Sequence, residues 1–296
     1  MSETRGNETI CLKQFISEKD YKEITLLEEL CFNKDKTKLK LELDYKIEMA
    51  GKSEIGLREI NEFMYFIDGN LVSYIGISSF GGSNIAEING MTHPEYRRKG
   101  LFRKLFELAM QECEKREFDK VLLLTDGNSS SGVQFAASVS GEYSFSEYRM
   151  KYLTKTPVEK LNVVKLRKAS RSDGTEIARQ NAIFFNHSDE FQLPSEDLYK
   201  TYMIERNETV IGKIMVSYSE HAAFISGFGI MPDSRGNGFG KAALKEALRL
   251  INENNIYEVE LDVECKNNTA LNLYKACGFE ELSVMNYYTF NGARHQ

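Results

Sequence analysis

The chain has 296 residues, of which 42% are hydrophobic and 28% charged, with a formal net charge of −6. That length exceeds the usual size of a single core and suits two domains of about 140 residues. No apolar run is long enough to span a membrane, and the acidic balance counts against nucleic acid as the main ligand while fitting a neutral or cationic partner.

In chain order, residues 8–14 read as an opening strand. Residues 33–60 are rich in Lys, Glu and Asp and suit helices lying over a cleft. A hairpin is expected over Met64–Ser78, with Asp68-Gly69-Asn70 as its turn. Polar residues and a proline interrupt the apolar pattern at 153–162, which reads as a linker between domains 8–155 and 162–296. A second opening strand follows at 162–168, a helix at Ser172–Asn186, and a second hairpin at Tyr202–Tyr218 turning at Arg206-Asn207-Glu208. Ala243, Leu244, Ala247, Leu248 and Ile251 fall at helical spacing, which predicts a helix over Lys241–Asn254 with that stripe in the core. Residues 258–264 alternate acidic and apolar, so Glu258, Glu260, Asp262 and Glu264 share one face of a strand.

Five cysteines (Cys11, Cys31, Cys113, Cys265 and Cys277) are scattered and form no C-x-x-C pair. This pattern suits reduced thiols in a cytosol rather than a disulfide framework or a zinc site. The four histidines, His93, His187, His221 and His295, are too dispersed to suggest a metal cluster. The opening M-S-E-T-R-G-N-E-T-I lacks the apolar stretch of a signal peptide, so a cytoplasmic location is expected.

One pattern occurs twice. In residues 88–110 and again in 225–247, a strand-like segment runs into a proline, a basic glycine-bearing loop and an amphipathic helix. Pro94, Arg97 and Gly100 match Pro232, Arg235 and Gly238 at an offset of about 138 residues. That is a domain length rather than a solenoid repeat of about 20–50 residues. A strand, glycine-rich turn and helix leave backbone N–H groups unpaired where the helix dipole is positive, which favours phosphate or another anion. The loop is not a P-loop, because Ala242 follows Lys241 and Arg235 stands where the first glycine should be. Nor is it a dinucleotide fingerprint, because Gly236, Gly238 and Gly240 are wrongly spaced.

What fits is R-x-x-G-x-G, at Arg235, Gly238 and Gly240. Downstream, E-V-E-L-D-V-E-C-K-N-N-T-A-L-N-L-Y-K-A-C-G-F supplies Asn267, then Tyr274 seven residues later, then Gly278-Phe279. Together these segments resemble the GNAT acyltransferase superfamily, whose members use acyl-coenzyme A. The resemblance implies an α/β (mixed α+β) fold: two tandem GNAT domains, each a mixed, mostly antiparallel twisted sheet flanked by helices. It implies acetyl-CoA as cosubstrate, no metal, and transfer to an amine of a small molecule, with a peptide or protein N-terminus or CoA binding without turnover as alternatives. Backbone N–H groups of Arg235, Gly236, Asn237, Gly238, Phe239 and Gly240 would hold the pyrophosphate. Phe228, Gly229 and Ile230 would pair with the pantetheine arm and offer an N–H to the thioester oxygen. Asn267 would contact the cofactor, and Tyr274 would protonate the departing thiolate. Asp262, twelve residues before Tyr274, stands where a proton-accepting glutamate stands in the N-terminal-alanine acetyltransferases, and Glu264 is a second candidate base.

The first half matches less fully. Phe102 replaces the last small residue of the loop, Asn128 is followed by Phe135 where the tyrosine would be, and no Gly-Phe follows. Phenylalanine has no ionisable hydrogen. The first domain is therefore expected to shape the acceptor site, or to bind CoA without turnover.

Overall fold

The structure, a computed structural model, describes residues 7–50, 59–80, 84–153, 161–185, 195–219 and 222–292. His187, His221 and His295, and most of the linker at 153–162, lie outside these residues.

The chain forms two compact units. Met1–Phe145 with Val284–Gln296 make the first, and Ser146–Ser283 the second. The elements run β1 (Glu8–Lys13), α1 (Glu18–Asp35), α2 (Leu43–Ala50), β2 (Glu62–Ile67), β3 (Asn70–Ser78), β4 (Ile85–Thr92), α3 (Leu101–Lys115), β5 (Lys120–Asp126), α4 (Ser130–Ser138) and β6 (Gly141–Leu153). They continue with β7 (Lys165–Lys168), α5 (Gly174–Phe185), α6 (Ser195–Lys200), β8 (Thr201–Arg206), β9 (Thr209–Tyr218), β10 (Ala222–Ile230), α7 (Phe239–Glu253), β11 (Glu258–Glu264), α8 (Asn268–Ala276) and β12 (Glu280–Phe290). Each unit is thus a mixed, mostly antiparallel sheet flanked by helices, and the expected order of elements repeats.

Both hairpins close as two-residue turns with left-handed backbone. Asp68 and Gly69 have φ of 50° and 79°, and Asn207 and Glu208 have 47° and 65°. Positive φ at both central positions gives the turn twist that matches flanking strands. α1 starts on a capping box, in which the Ser17 side chain accepts from the Asp20 N–H and Asp20 accepts in return from the Ser17 N–H.

In the first unit the strands lie in the order β1-β2-β3-β4-β5-β12, and in the second β7-β8-β9-β10-β11-β6. The pairs are antiparallel except for β4 with β5 and β10 with β11. In each unit, then, the last strand comes from the other repeat's stretch of sequence. Glu147–Leu153 of β6 pair with β11, and Met285–Phe290 of β12 pair with β5. This is why the units do not divide as 8–155 and 162–296: hydrogen bonding and burial, not the polar interruption near 153–162, decide membership. Met150, fully buried, packs in the second unit's core with Ile214, Leu244, Ala247 and Leu261. Tyr287 packs in the first unit against Phe145, with rings stacked 4.4 Å apart.

Met150→Ala should therefore destabilise the second unit by about 2–5 kcal/mol, the usual cost of removing a buried methionine side chain. Hydrogen exchange would read it. Protection is expected to fall across Glu258–Glu264 and to hold across Lys120–Asp126, and the reverse pattern would contradict the exchange.

Candidate functional site

In the second unit, β10 and β11 pair in parallel from Ala222–Ile225 to Glu258–Leu261, and the pairing stops there. On its other side β10 loses register with β9 between Ser226 and Gly229, a bulge at which Gly227 has φ of 54°. Gly229 lies so close to the Phe184 ring that a Cβ would sit 2.3 Å from a ring carbon, so a larger residue would force that ring to move. Residues Ser226–Ile230 thus form a bulged strand that has parted from its parallel neighbour.

β10 ends in a short 3₁₀ turn, Pro232–Ser234, then Arg235 and the glycine loop. Gly236 and Gly238 both take φ of 77°, the left-handed region that side chains disfavour. Gly238 caps α7 with no side-chain bond, so the first N–H groups of the helix are left without an intrahelical acceptor. Arg235 contributes in a different way from the expected one. Its own N–H already donates to the Pro232 carbonyl at 3.1 Å, and its Nε donates to the Ile230 carbonyl at 2.8 Å. The arginine is a latch between strand end and loop, and the open N–H groups begin at Gly236. Phe239 turns its ring into the core beneath the Arg206 guanidinium, so only its backbone faces the loop. A Cβ on Gly240 would meet Leu273, Ile230 and Phe228 at ordinary contact distances.

Asn267 caps α8, its Oδ1 accepting from the Ala270 N–H at 3.1 Å. About two turns further on, Tyr274 is buried, with its ring 6.5 Å from Phe228 and 5.9 Å from Phe279. Burial pushes its hydroxyl up to about 12, so it stays protonated at neutral pH. The bulged strand, the loop and Tyr274 therefore meet in one unit.

The carboxylate row on β11 divides. Asp262 is held in a two-pronged pair by Arg149 of β6, at 2.6 and 3.1 Å, and Arg149 also reaches Glu260 at 3.2 Å. Lys151 pairs with Glu258 at 2.5 Å. Glu264, at the strand's end and exposed, has no ion-pair partner among the described residues. Burial raises the Cys265 thiol, which argues against a thiolate nucleophile there. Among the described residues no group of His, Cys, Asp and Glu suits a metal ion, and no helix is long and apolar enough to cross a membrane.

The first unit keeps the skeleton and changes the chemistry. Arg97 Nε donates to the Thr92 carbonyl at 3.0 Å, repeating the latch, and Arg98 and Gly100 take φ of 63° and 81°, repeating the loop. β4, however, pairs with β3 without any register shift, so it has no bulge. The helix caps set the register of α4 against α8: Ser129 stands where Asn267 stands, and Ala136, not Phe135, stands where Tyr274 does. Phe135 instead packs edge-on against Phe102 and Phe106. Between β4, β5 and α3 this unit holds a cleft of about 540 Å³. Asn89 lines it, buried, and neither side-chain amide atom has a hydrogen-bond partner among the described residues.

The sequence profile of the acetyltransferase (GNAT) family matches residues 24–137 and 167–279. The chain is similar to a mycothiol acetyltransferase of Streptomyces griseus, 22% identical over 74% of this chain and 76% of that protein. A putative ribosomal protein bS18-alanine N-acetyltransferase of Bacillus subtilis is 30% identical over 33% of this chain and 66% of its own length. A GCN5-related N-acetyltransferase from Sphaerobacter thermophilus has the same fold, with a TM-score of 0.76 at 15% identity over 98% of this chain and 96% of that one.

Gly238→Val should cost the second unit about 1–2 kcal/mol, because valine resists the left-handed backbone. Chemical denaturation would show it, and unchanged stability would mean the loop does not hold this conformation.

Proposed function

The chain belongs to the acetyltransferase (GNAT) family, and we propose that its second unit transfers an acetyl group from acetyl-CoA to an amine of a small molecule. The observation that carries this reading is the meeting of three parts in that unit: the bulged, parted strand Ser226–Ile230, the loop with open N–H groups from Gly236, and buried Tyr274. Acetyl-CoA fits there on the donor set. Its pyrophosphate suits N–H groups at a helix start, and its pantetheine amides suit a strand edge without a ladder partner. When bound, it supplies the activated acetyl thioester.

The chain's own residues do the rest. Gly236, Asn237, Gly238, Phe239 and Gly240 bind the diphosphate through backbone N–H groups, and Arg235 keeps that loop docked on its strand. Phe228, Gly229 and Ile230 align the pantetheine arm, and an N–H at the bulge stabilises the thioester oxygen as charge builds on it. Asn267 caps α8 through its oxygen and offers its amide hydrogens to the cofactor. Glu264, exposed and without an ion-pair partner, takes the amine's proton through water. Asp262 is the weaker base, because Arg149 occupies both its oxygens. Tyr274 donates to the leaving sulfur. A hydroxyl held near 12 is a weaker acid than a thiol of about 8.5, so it acts as a hydrogen-bond donor more than by complete proton transfer.

A peptide N-terminal amine is the second reading, favoured by the spacing of Asp262 to Tyr274 and by the bS18-alanine acetyltransferase relative. Turnover of radiolabelled acetyl-CoA with small amines and with short peptides separates the two. Acetyl-CoA binding without turnover on either panel would leave a CoA-binding regulatory protein. For the first unit we propose CoA binding without transfer: the loop conformation is kept at the strain of a left-handed Arg98, while bulge and tyrosine are missing.

Tyr274→Phe should bind acetyl-CoA normally and turn over about 10²-fold more slowly, at the low end for proton-donating groups; a normal kcat would remove it from the mechanism. Calorimetry on the whole chain should find two CoA sites, and Gly238→Val should abolish one of them. A single site lost completely in Gly238→Val would deny the first unit its role.

A further inference from the structure

β9 carries a buried lysine that the transfer chemistry above does not use. Lys213 is 1% exposed, and its ammonium has one polar partner among the described residues, the Gly227 carbonyl at 3.0 Å. Among the described residues no carboxylate accompanies it. Its neighbours include the Phe185 ring, 5.1 Å away, and Met215, which lies beside Gly227. Burial lowers its pKa to about 8. Taking an ammonium out of water without a counter-ion is costly, and an apolar side chain would fill the same space more cheaply.

The first unit holds a different group at this position. Thr92 pairs with Ser73 as Ile230 pairs with Gly212, so Tyr74 stands where Lys213 stands. Met64 lies across from Tyr74 as Met203 lies across from Lys213. Tyr74 is fully paired, bonded to Glu62 and to Lys46, which in turn bind each other. That closed set sits beside a regular β4. The lone lysine sits beside the bulged β10.

Gly227, which Lys213 grips, is the left-handed residue of that bulge, and neither it nor Phe228 has a register partner on β9. In a planar trans peptide the C=O and the following N–H point in opposite directions. Holding the Gly227 oxygen therefore turns the Phe228 N–H away from Lys213. The strand edge facing away from β9 is the one from which β11 has parted.

We propose that Lys213 is a positioning residue for acyl transfer: it fixes the Gly227–Phe228 peptide so that the Phe228 N–H meets the thioester oxygen. This rests on acetyl transfer taking place in the second unit. The lysine touches neither substrate nor reacting atom and acts through the peptide it holds.

The test uses the full chain. Lys213→Met keeps length and removes the donor. It should bind acetyl-CoA within about twofold of the wild type by calorimetry and leave the acceptor KM nearly unchanged. Its kcat should fall by about 10- to 100-fold, below the 10²–10³ typical of deleting such a donor outright. Lys213→Arg, which retains a donor, should recover part of that loss. Equal kcat in Lys213→Met and wild type would overturn the proposal, and so would a loss confined to acetyl-CoA affinity. A second measurement needs no variant. In the wild type the Phe228 amide resonance should move further with acetyl-CoA than with desacetyl CoA, which shares the pantetheine arm but lacks the thioester oxygen. Equal movement with both would also overturn the assignment. A wild type that binds acetyl-CoA and acetylates no amine would instead sink the enzymatic reading, and the amide resonance would still report whether the N–H meets the thioester.

Discussion

Two parallel strands that pair for only half their length leave a row of amides facing a gap. Buried amides without partners are costly, so such a gap is tolerated where a ligand completes it. In the second unit the parting after Ile225 is reinforced from the other side by the bulge at Gly227. The parallel connection fixes the rest. A parallel pair requires a crossover helix, and α7 must begin just beyond the end of β10. The loop and its open N–H groups therefore lie at the mouth of the gap as a consequence of topology.

The two repeats separate what the skeleton requires from what the chemistry requires. Arg97 and Arg235 make the same latch to a strand-end carbonyl, and the left-handed pair of loop residues is kept in both. In the first unit this conformation survives with Arg98 in place of a glycine, at some strain. Among the described residues, the features present only in the second unit are the bulge in β10, the tyrosine on α8 and the lysine without a counter-ion. They lie together on β9, β10 and α8.

Along the acidic face of β11, three carboxylates are ion-paired and, among the described residues, Glu264 is not. Asp262 and Glu260 share Arg149, and Glu258 takes Lys151, because β6 presents Arg149 opposite Asp262 and Lys151 opposite Glu260. At the end of the row Glu264 meets Glu147 in register, so like charges face each other where the others are neutralised. The exchange of β6 and β12 thus affects more than packing, since the residues that engage the expected base come from the first repeat's sequence.

The repeat, the order of elements, the turns and the loop could all be read from the sequence, because each depends on neighbours within a few residues: proline and glycine at fixed offsets, apolar positions at helical or alternating spacing, and a cap residue before a helix. Asn267 and Tyr274 were legible for the same reason, since a helix fixes their separation. What the sequence did not contain was the pairing of elements distant along the chain. Alternation along β11 puts four carboxylates on one face without saying that Arg149, across from Asp262, binds two of them. The sequence names Arg235 without showing that its guanidinium and its N–H are turned onto its own loop. A one-residue slip in α4 set Phe135 against Tyr274, where the helix caps place Ala136. The bulge in β10, its absence in β4 and the isolation of Lys213 all depend on the register of neighbouring strands. That register is set by cross-strand hydrogen bonds and burial, and so only the tertiary structure decided it.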